Sequence, residues 1–336
     1  MELWFSALGT PAPRHLETFT ALSADQALRH ASQGVGVLWR AGFPDARRLL
    51  DEMRRRIDRR PVDPVQSFYR YRQQRRTRAR LLNLVAVPLG PDGRVALPDA
   101  PDVREAVAAA VGVPVTDRVV ALRELMGMVS AHEWRRRGIV VPPLGARIHA
   151  HYGVFAPTRH DYVDLVASAP LPGTSLALDI GTGTGVLAAV LARRGVRRII
   201  ATDVSSRAVA CARANLADLP VEVRQTDLFP TECADLVVCN PPWLPTAPSS
   251  LLDRGVYDEG GRMLSGFLDG VAEHLTPRGE AWLVLSDLAE RFGLRTRAAL
   301  LDRFQRGGLS VVARLDTAPR HRTAREEIVS LWRLSR

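Results

Sequence analysis

Apolar and polar positions in the second half of the chain follow two alternating patterns. Short apolar runs predict strands at residues 175–180, 198–202, 221–225, 235–239 and 280–285. Stretches with helical spacing lie before or between them, at residues 159–169, 185–194, 206–216, 263–275 and 288–304. This alternation predicts an α/β fold with a doubly wound, Rossmann-like, mostly parallel seven-stranded sheet. Its last two strands, 309–315 and 327–334, have no helix between them and are expected to form an antiparallel C-terminal hairpin at an edge.

The first half has a less regular pattern. Helical spacing with Asp at plausible N-caps predicts helices at residues 21–30, 45–59, 102–111 and 117–136. A turn at Gly90-Pro91-Asp92-Gly93 predicts a hairpin of residues 80–88 and 94–97. These elements indicate a smaller mixed α+β N-terminal domain. Arginines followed by Val141-Pro142-Pro143 mark its end, so we expect domains at residues 1–140 and 150–336.

Composition limits the classes of protein that remain. The chain has 336 residues, of which 46% are hydrophobic and 24% are charged, as in soluble globular proteins. No apolar run is long enough to span a membrane and the first residues lack a signal-peptide pattern, so a cytoplasmic location without membrane contact is expected. The three cysteines form no CxxC pair, and His149, His151 and His160 lack an acid at ligand spacing, so we expect no metal site.

Positive charge is concentrated in the first half. Residues 1–150 hold 24 Arg against 15 acids, whereas residues 151–336 hold 22 Arg against 21 acids. Arg54 to Arg80 contains eleven Arg, two Asp and three aromatic residues, Phe68, Tyr69 and Tyr71. Such a segment is typical of nucleic-acid binding. It is equally typical of a solvated helix face whose arginines pair with acids.

A glycine-rich turn joins the first strand of the second half to its helix. Gly181, Gly183 and Gly185 in Asp179-Ile180-Gly181-Thr182-Gly183-Thr184-Gly185 let the backbone approach a ligand, and the amides at the helix start favour a carboxylate or phosphate. Asp203 ends the next strand, where a carboxylate can accept hydrogen bonds from both ribose hydroxyls. Asp227 and Leu228 follow the third strand and could recognise an adenine. Asp179, Asp203 and Asp227 could instead cap helices or turns.

The fourth strand is followed by Asn240-Pro241-Pro242-Trp243. An amide or aromatic amino nitrogen is a poor nucleophile because its lone pair is delocalised. The Asn240 side-chain oxygen and the Pro241 carbonyl can accept its two N–H bonds and orient it, while Pro242 stiffens the backbone and Trp243 offers a face for stacking. This motif therefore predicts methyl transfer to nitrogen, and the structural alternative is a rigid proline-rich turn.

Residues 150–336 resemble the class I S-adenosylmethionine-dependent methyltransferases. The resemblance is to the methyltransferase small group with an Asn-Pro-Pro-aromatic motif, which includes release-factor glutamine and ribosomal-RNA guanine N2-methyltransferases. It is carried by the glycine turn, Ala201-Thr202-Asp203, Thr226-Asp227-Leu228-Phe229 and Val238 to Trp243.

The resemblance implies S-adenosylmethionine as the cofactor and assigns the site residues. Asp179, Gly181, Gly183 and Gly185 would meet its methionine part, Asp203 the ribose, and Asp227 and Leu228 the adenine. Thr182 and Val204, next to these residues, are further candidates for cofactor binding. Asn240 would lie beside the cofactor. Its side chain and the Pro241 carbonyl would hold the acceptor. Trp243 replaces the usual Tyr of the glutamine-modifying members. In those enzymes a segment crosses the cofactor pocket, and residues Gly153 to Arg159, which include Phe155 and Thr158, match that segment only loosely.

The sequence leaves several acceptors open. A base of rRNA or tRNA, a protein glutamine and a small metabolite all fit, with the basic N-terminal domain as the substrate-recognition part. A protein of another class, an inactive cofactor-binding RNA scaffold, fits less well because the Asn-Pro-Pro motif is intact. Residues 244–262, with Ser249 and Ser250, could form a lid over the acceptor.

Overall fold

The computed structural model describes residues 3–59, 61–114, 116–248, 252–318 and 326–336. The chain forms two compact units, residues 1–133 and residues 134–248 with 252–336, which we call the N-terminal and the C-terminal unit. Every helix among the described residues is too short or too polar to cross a bilayer.

The N-terminal unit is built on a five-stranded sheet with the order β1-β5-β4-β3-β2. Neighbouring strands are parallel except for β4 and β5, which are antiparallel. Its strands are β1 (Leu3–Phe5), β2 (His15–Phe19), β3 (Val35–Trp39), β4 (Val85–Leu89) and β5 (Arg118–Ala121). Its helices are α1 (Ala24–Ser32), α2 (Phe43–Ile57), α3 (Phe68–Leu82), α4 (Arg104–Val111) and α5 (Leu122–Arg137), the last of which continues into the C-terminal unit.

Two predictions for this unit were wrong. The helix predicted at 117–136 begins with strand β5, because the β-branched Val119 and Val120 are fully buried in the sheet and α5 starts only at Leu122. The predicted hairpin shrinks to a single bridge between Leu89 and Val95, since residues 80–82 end helix α3. β4 is buried along its whole length and takes β3 and β5 as its neighbours instead.

The C-terminal unit contains the predicted seven-stranded sheet, with the order β10-β9-β8-β11-β12-β14-β13. β8 to β12 are mutually parallel and the β13–β14 pair is antiparallel at one edge, which confirms the predicted fold class. Its strands are β8 (Leu176–Ile180), β9 (Arg198–Asp203), β10 (Val221–Gln225), β11 (Ala234–Cys239), β12 (Leu275–Ser286), β13 (Ser310–Thr317) and β14 (Val329–Ser335), preceded by a small hairpin, β6 (Ile139–Val141) and β7 (Ala146–Ile148). Its helices are α6 (Asp161–Ser168), α7 (Val186–Arg193), α8 (Ser206–Asn215), α9 (Arg262–Gly270), α10 (Leu288–Arg291) and α11 (Arg297–Arg306).

Two helices of this unit are shorter than the apolar spacing predicts. The helix predicted at 288–304 is divided into α10 and α11, because Gly293 adopts φ +67° and Thr296 caps α11 by accepting the Ala299 amide at 3.1 Å. The helix predicted at 263–275 ends at Gly270 and continues as a single 3-10 turn.

Both faces of this sheet are covered. One apolar cluster joins it to α6, α7 and α8, and a second joins it to α9 and α11. Helix α7 is apolar on nearly all sides and buried, as expected of a helix packed against a sheet. The carboxyl ends of β8, β9, β10 and β11 therefore lie along one edge, where the candidate site is found.

Candidate active site

The glycine turn between β8 and α7 has the conformation that its sequence predicts. Gly181, Gly183 and Gly185 have φ values of +71°, +58° and +84°, in the left-handed region. A Cβ on Gly185 would lie 2.7 Å from Leu216, and one on Gly181 would collide with Met263. A Cβ on Gly183 would meet nothing within 4 Å, so this face of the turn is open to a ligand.

Asp179 stabilises this turn through hydrogen bonds on its buried side. Its carboxylate is only 1% exposed and accepts hydrogen bonds from the Thr182 hydroxyl at 2.6 Å and the Ala188 amide at 3.1 Å. Burial raises the pKa of Asp179 to about 6, against the opposing effect of these two bonds. Thr182 is thereby also turned toward the protein, and its own amide donates to the Thr202 carbonyl at 2.9 Å.

Asp203 stands at the end of β9 beside the open face of the turn. Its two carboxylate oxygens accept the Gly183 amide at 3.0 Å and the Ser205 amide at 2.9 Å. Burial raises the pKa of Asp203. Because an ionised carboxylate has about four acceptor positions, each oxygen can also accept a ribose hydroxyl. The acceptor set and the open glycine face thus fit a nucleoside ligand such as S-adenosylmethionine.

The remaining predicted cofactor residues lie along the same edge with different exposure. Val204 is 67% exposed after β9, and Asp227 is exposed after β10. Leu228 has φ +60°, which is unusual for a residue with a branched side chain, and its carbonyl accepts the Thr202 hydroxyl at 2.6 Å. Its side chain packs against Gly266 of α9, so the Leu228 backbone is a strained position held from two sides.

The Asn-Pro-Pro-Trp motif follows β11 directly. Asn240 is half-buried after the fully buried Cys239, and the Trp243 indole Nε1–H donates to Asn240 Oδ1 at 2.9 Å. Pro241 is buried and Pro242 is half-buried between them. One position on the Asn240 oxygen is therefore occupied by Trp243, and a second remains, because an amide oxygen has two lone pairs.

Arg159 lies over the Trp243 ring that the sequence assigned to stacking. Its guanidinium carbon is 5.1 Å from the ring centroid. The guanidinium pairs with Asp161 at 2.7 Å and with Glu327 at 3.1 Å. Burial alone would lower the pKa of Arg159, but the bonds to Asp161 and Glu327 raise it.

Glu327 is the site residue that the sequence interpretation missed. It lies 168 positions after Arg159 and is 4% exposed, with the Ser286 hydroxyl donating to its Oε1 at 2.7 Å. The available signal was an acid at the start of an apolar strand, where a charge is costly to bury without a partner. Arg159 does not begin α6, which starts at Asp161.

Two of the three neighbouring histidines have structural partners. His149 Nδ1 donates to the Arg135 carbonyl at 2.6 Å, and the His151 amide donates to Cys211 Sγ at 3.4 Å. Burial and the charge of Arg135 lower the pKa of His151. Both histidines thus fasten the segment that precedes Gly153.

The segment after the motif folds back on itself. The Leu244 amide donates to the Val256 carbonyl at 3.1 Å, and the Asp258 amide donates to the Leu244 carbonyl at 2.9 Å. Asp258 then caps α9 by accepting the Met263 amide at 2.8 Å. Phe155 packs on this segment at Gly255. Ser249 and Ser250, proposed as part of a lid, lie outside the described residues.

Comparison with known proteins agrees with this geometry. The family model of the methyltransferase small domain matches residues 145–306, which include the glycine turn and the Asn240 motif. The chain is 38% identical over 125 residues to a release factor glutamine methyltransferase of Shewanella oneidensis. This match covers 34% of this chain and 44% of that protein.

Two further relatives match longer segments. A release factor glutamine methyltransferase of Mycolicibacterium smegmatis is 30% identical over 199 residues, which cover 56% of this chain and 66% of that protein. Methyltransferase HEMK2 of Homo sapiens is 32% identical over 164 residues, which cover 40% of this chain and 76% of that protein. With this relative covered over three quarters of its length, the chain belongs to the methyltransferase small family of S-adenosylmethionine-dependent methyltransferases.

Proposed function

We propose that the chain transfers a methyl group from S-adenosylmethionine to the side-chain amide nitrogen of a glutamine in a protein. The observation that carries this proposal is the Asn240-Pro241-Pro242-Trp243 motif at the carboxyl end of β11, beside the glycine turn at the end of the neighbouring β8. The names of the bacterial relatives, release factor glutamine methyltransferases, support glutamine as the acceptor.

The cofactor would bind along the ends of β8, β9 and β10. Gly181, Gly183 and Gly185 allow its methionine part close to the backbone, with Asp179 and Thr182 holding the turn. Asp203 would accept the ribose hydroxyls beside Val204, and Asp227 and Leu228 would lie at the adenine. When bound, the cofactor supplies an electrophilic methyl group on a sulfonium.

The acceptor amide would be held by two oxygens. The free lone pair of Asn240 Oδ1 and the Pro241 carbonyl accept its two N–H bonds, which orient the nitrogen toward the methyl carbon. With the cofactor bound, the nitrogen–carbon bond would form as the sulfur–carbon bond breaks, and both oxygens would stabilise the positive charge that develops on the nitrogen. The extra proton then leaves to water, so no dedicated base is needed.

A tritium-transfer assay tests the acceptor. The purified chain is incubated with tritiated S-adenosylmethionine and a cell extract, which is then separated into protein, RNA and small metabolites. Label in protein that digestion assigns to N-methylglutamine is expected. Label in RNA or in metabolites would overturn the protein acceptor in favour of those alternatives, and no label despite cofactor binding would favour an inactive scaffold.

A second proposal concerns RNA binding by the N-terminal unit. Helix α3 carries six arginines and no acid. One face of it, with Tyr69, Gln73, Arg76 and Arg80 at helical spacing, is exposed, and Tyr69 is 74% exposed. Basic side chains beside an exposed aromatic ring fit phosphates and an unstacked base. RNA bound here would guide the enzyme to its substrate or be the substrate.

Several arginines in this region or next to it pair with acids, as the solvated-face alternative expects. Arg78 pairs with Asp58 at 2.8 Å, Arg54 with Asp51 at 3.3 Å and Arg48 with Asp45 at 3.0 Å. These pairs lie mostly on α2, whose sequence contains acids. The exposed face of α3 supports the RNA proposal because its own helix supplies no carboxylate.

A further inference from the structure

The Asn240 side chain is held by a series of contacts that begins at two buried carboxylates. Asp161 and Glu327 have side chains that are 6% and 4% exposed, and both pair with Arg159. Burying two carboxylates is costly unless a cation satisfies them, so Arg159 is fixed more firmly than a surface arginine. The Ser286 hydroxyl fixes Glu327 in turn.

Arg159 restrains the Trp243 ring in the next contact. Its guanidinium lies over the ring at 5.1 Å, while the Trp243 side chain also packs against both apolar clusters of the sheet. Trp243 thus has a cation on its face and core side chains around it. Its indole N–H consequently points in one direction, to Asn240 Oδ1 at 2.9 Å.

The chemistry of this last bond distinguishes the two orientations of the Asn240 amide. An indole N–H can only donate. It therefore stabilises the orientation with the Asn240 oxygen toward Trp243 and destabilises the flipped orientation, in which two donors would face each other. A tyrosine hydroxyl can donate and accept, and would tolerate both orientations. A phenylalanine at this position, which has no polar atom in its side chain, would not distinguish the two orientations of the amide.

We propose that Trp243 is a positioning residue that selects the orientation of the Asn240 amide, and that Arg159, Asp161 and Glu327 hold Trp243 in place for this task. The inference rests on the proposed function only in that the acceptor nitrogen meets Asn240 Oδ1. A site with Trp243 thus has one fixed orientation of the Asn240 amide.

The bond is tested by NMR without any acceptor. In the 15N-labelled full chain, the indole resonance of Trp243 is identified by its loss in Trp243→Phe. Asn240→Ala is expected to move this resonance and to raise its exchange with water by about tenfold or more, because the hydrogen bond is removed. Glu327→Gln, which keeps the shape but weakens the hold on Arg159, should move it in the same direction by less. An indole resonance that is unchanged in both variants would overturn the proposal.

Turnover provides the second readout, with tritiated S-adenosylmethionine and the protein fraction of the extract as probes. Trp243→Phe should lower kcat by about tenfold or more while the cofactor Kd stays within about twofold. Trp134→Phe, a change at a 51% exposed tryptophan, is the matched control and should leave both constants unchanged. Unchanged kcat in Trp243→Phe would contradict the positioning role.

The two readouts separate this proposal from the proposed function. If the extract takes up no label, the acceptor proposal fails while the NMR comparison still decides whether Trp243 orients Asn240. If Trp243→Phe unfolds, sequential assignment of the unaltered chain identifies the resonance instead, and Glu327→Gln and Asn240→Ala carry the NMR test, since neither removes an apolar side chain from the core.

Discussion

Asn240 is the residue on which the proposed chemistry depends. Its oxygen is shared between Trp243 and the proposed acceptor, and its backbone continues the buried strand β11. A side chain with both duties cannot be shortened without losing orientation of the nucleophile. The cofactor residues lie at the ends of other strands, so the two functions should separate in binding and turnover measurements.

Asn240→Ala should therefore lower turnover by about 100-fold or more, the usual loss when one oriented hydrogen-bonding group is removed from a reacting site. The Kd for S-adenosylmethionine measured by calorimetry should remain within about twofold. Asn83→Ala, which removes an amide from the N-terminal unit, is the control. An equal loss of cofactor binding in Asn240→Ala would assign the side chain to the cofactor instead.

Asp179 should make the stability of the protein depend on pH. Its pKa is raised to about 6 in the folded chain from 3.8, so the native state holds its proton more tightly than the unfolded state. The free energy of unfolding then falls as pH rises from about 4 through about 6, by up to about 3 kcal/mol, and stays lower above that range.

Asp179→Asn removes this titration and keeps an oxygen for the Thr182 and Ala188 bonds, which share one carboxylate oxygen. Urea unfolding measures the free energy of unfolding of the variant minus that of the unaltered chain. This difference should be more favourable to the variant at about pH 7.5 than at about pH 5. Asp218→Asn, at an exposed position, controls for the loss of a carboxylate. A stability difference independent of pH would contradict the raised pKa.

At the scale of the element, the turn between β8 and α7 combines backbone strain with open space. Gly183→Ala should weaken S-adenosylmethionine binding by about tenfold or more, because its methyl group would project into the open face of the turn. The strain of the left-handed conformation itself should cost about 1 kcal/mol of stability.

Gly195→Ala is the matched control for this prediction. Gly195 has φ +86° and open space around it, but it lies at the opposite end of α7. Thermal unfolding of the two variants should shift by similar amounts, whereas calorimetry should find weaker cofactor binding only in Gly183→Ala. Equal cofactor affinities would place the ligand away from this turn.

At the scale of the whole molecule, the densest run of arginines, Arg54 to Arg80, lies in the N-terminal unit. Replacing Arg76 and Arg80 on the exposed face of α3 by Gln should weaken binding of a labelled single-stranded RNA oligonucleotide. The slope of log K against log salt concentration should become shallower by about 0.7 for each phosphate that no longer meets an arginine.

The matched control removes the same charge from the C-terminal unit. Arg278→Gln with Arg306→Gln alters two exposed arginines there and should leave RNA affinity and its salt slope unchanged. Equal effects of both double variants would indicate an unspecific charge effect. No affinity for RNA in the unaltered chain would remove the RNA proposal and leave the protein acceptor.

The sequence by itself determined the sheet of the C-terminal unit and the place of its motifs. Its strands are short apolar runs and its helices follow at regular intervals, so local periodicity was enough for the element order. The glycine turn and the Asn240 motif are contiguous segments that follow strands directly. Parallel strands bring such ends to one edge, which made the edge predictable before any distance was known.

The tertiary structure alone decided the remaining features. Residues 118–121 satisfy a helical pattern and yet form β5, because a sheet offers partners that only the folded chain supplies. The Arg159–Glu327 pair spans 168 positions, and the bond from Trp243 to Asn240 depends on the ring being held by residues far along the chain. Local sequence encodes periodicity and turn chemistry, whereas the partners of buried charges and the direction of a single N–H follow from long-range packing.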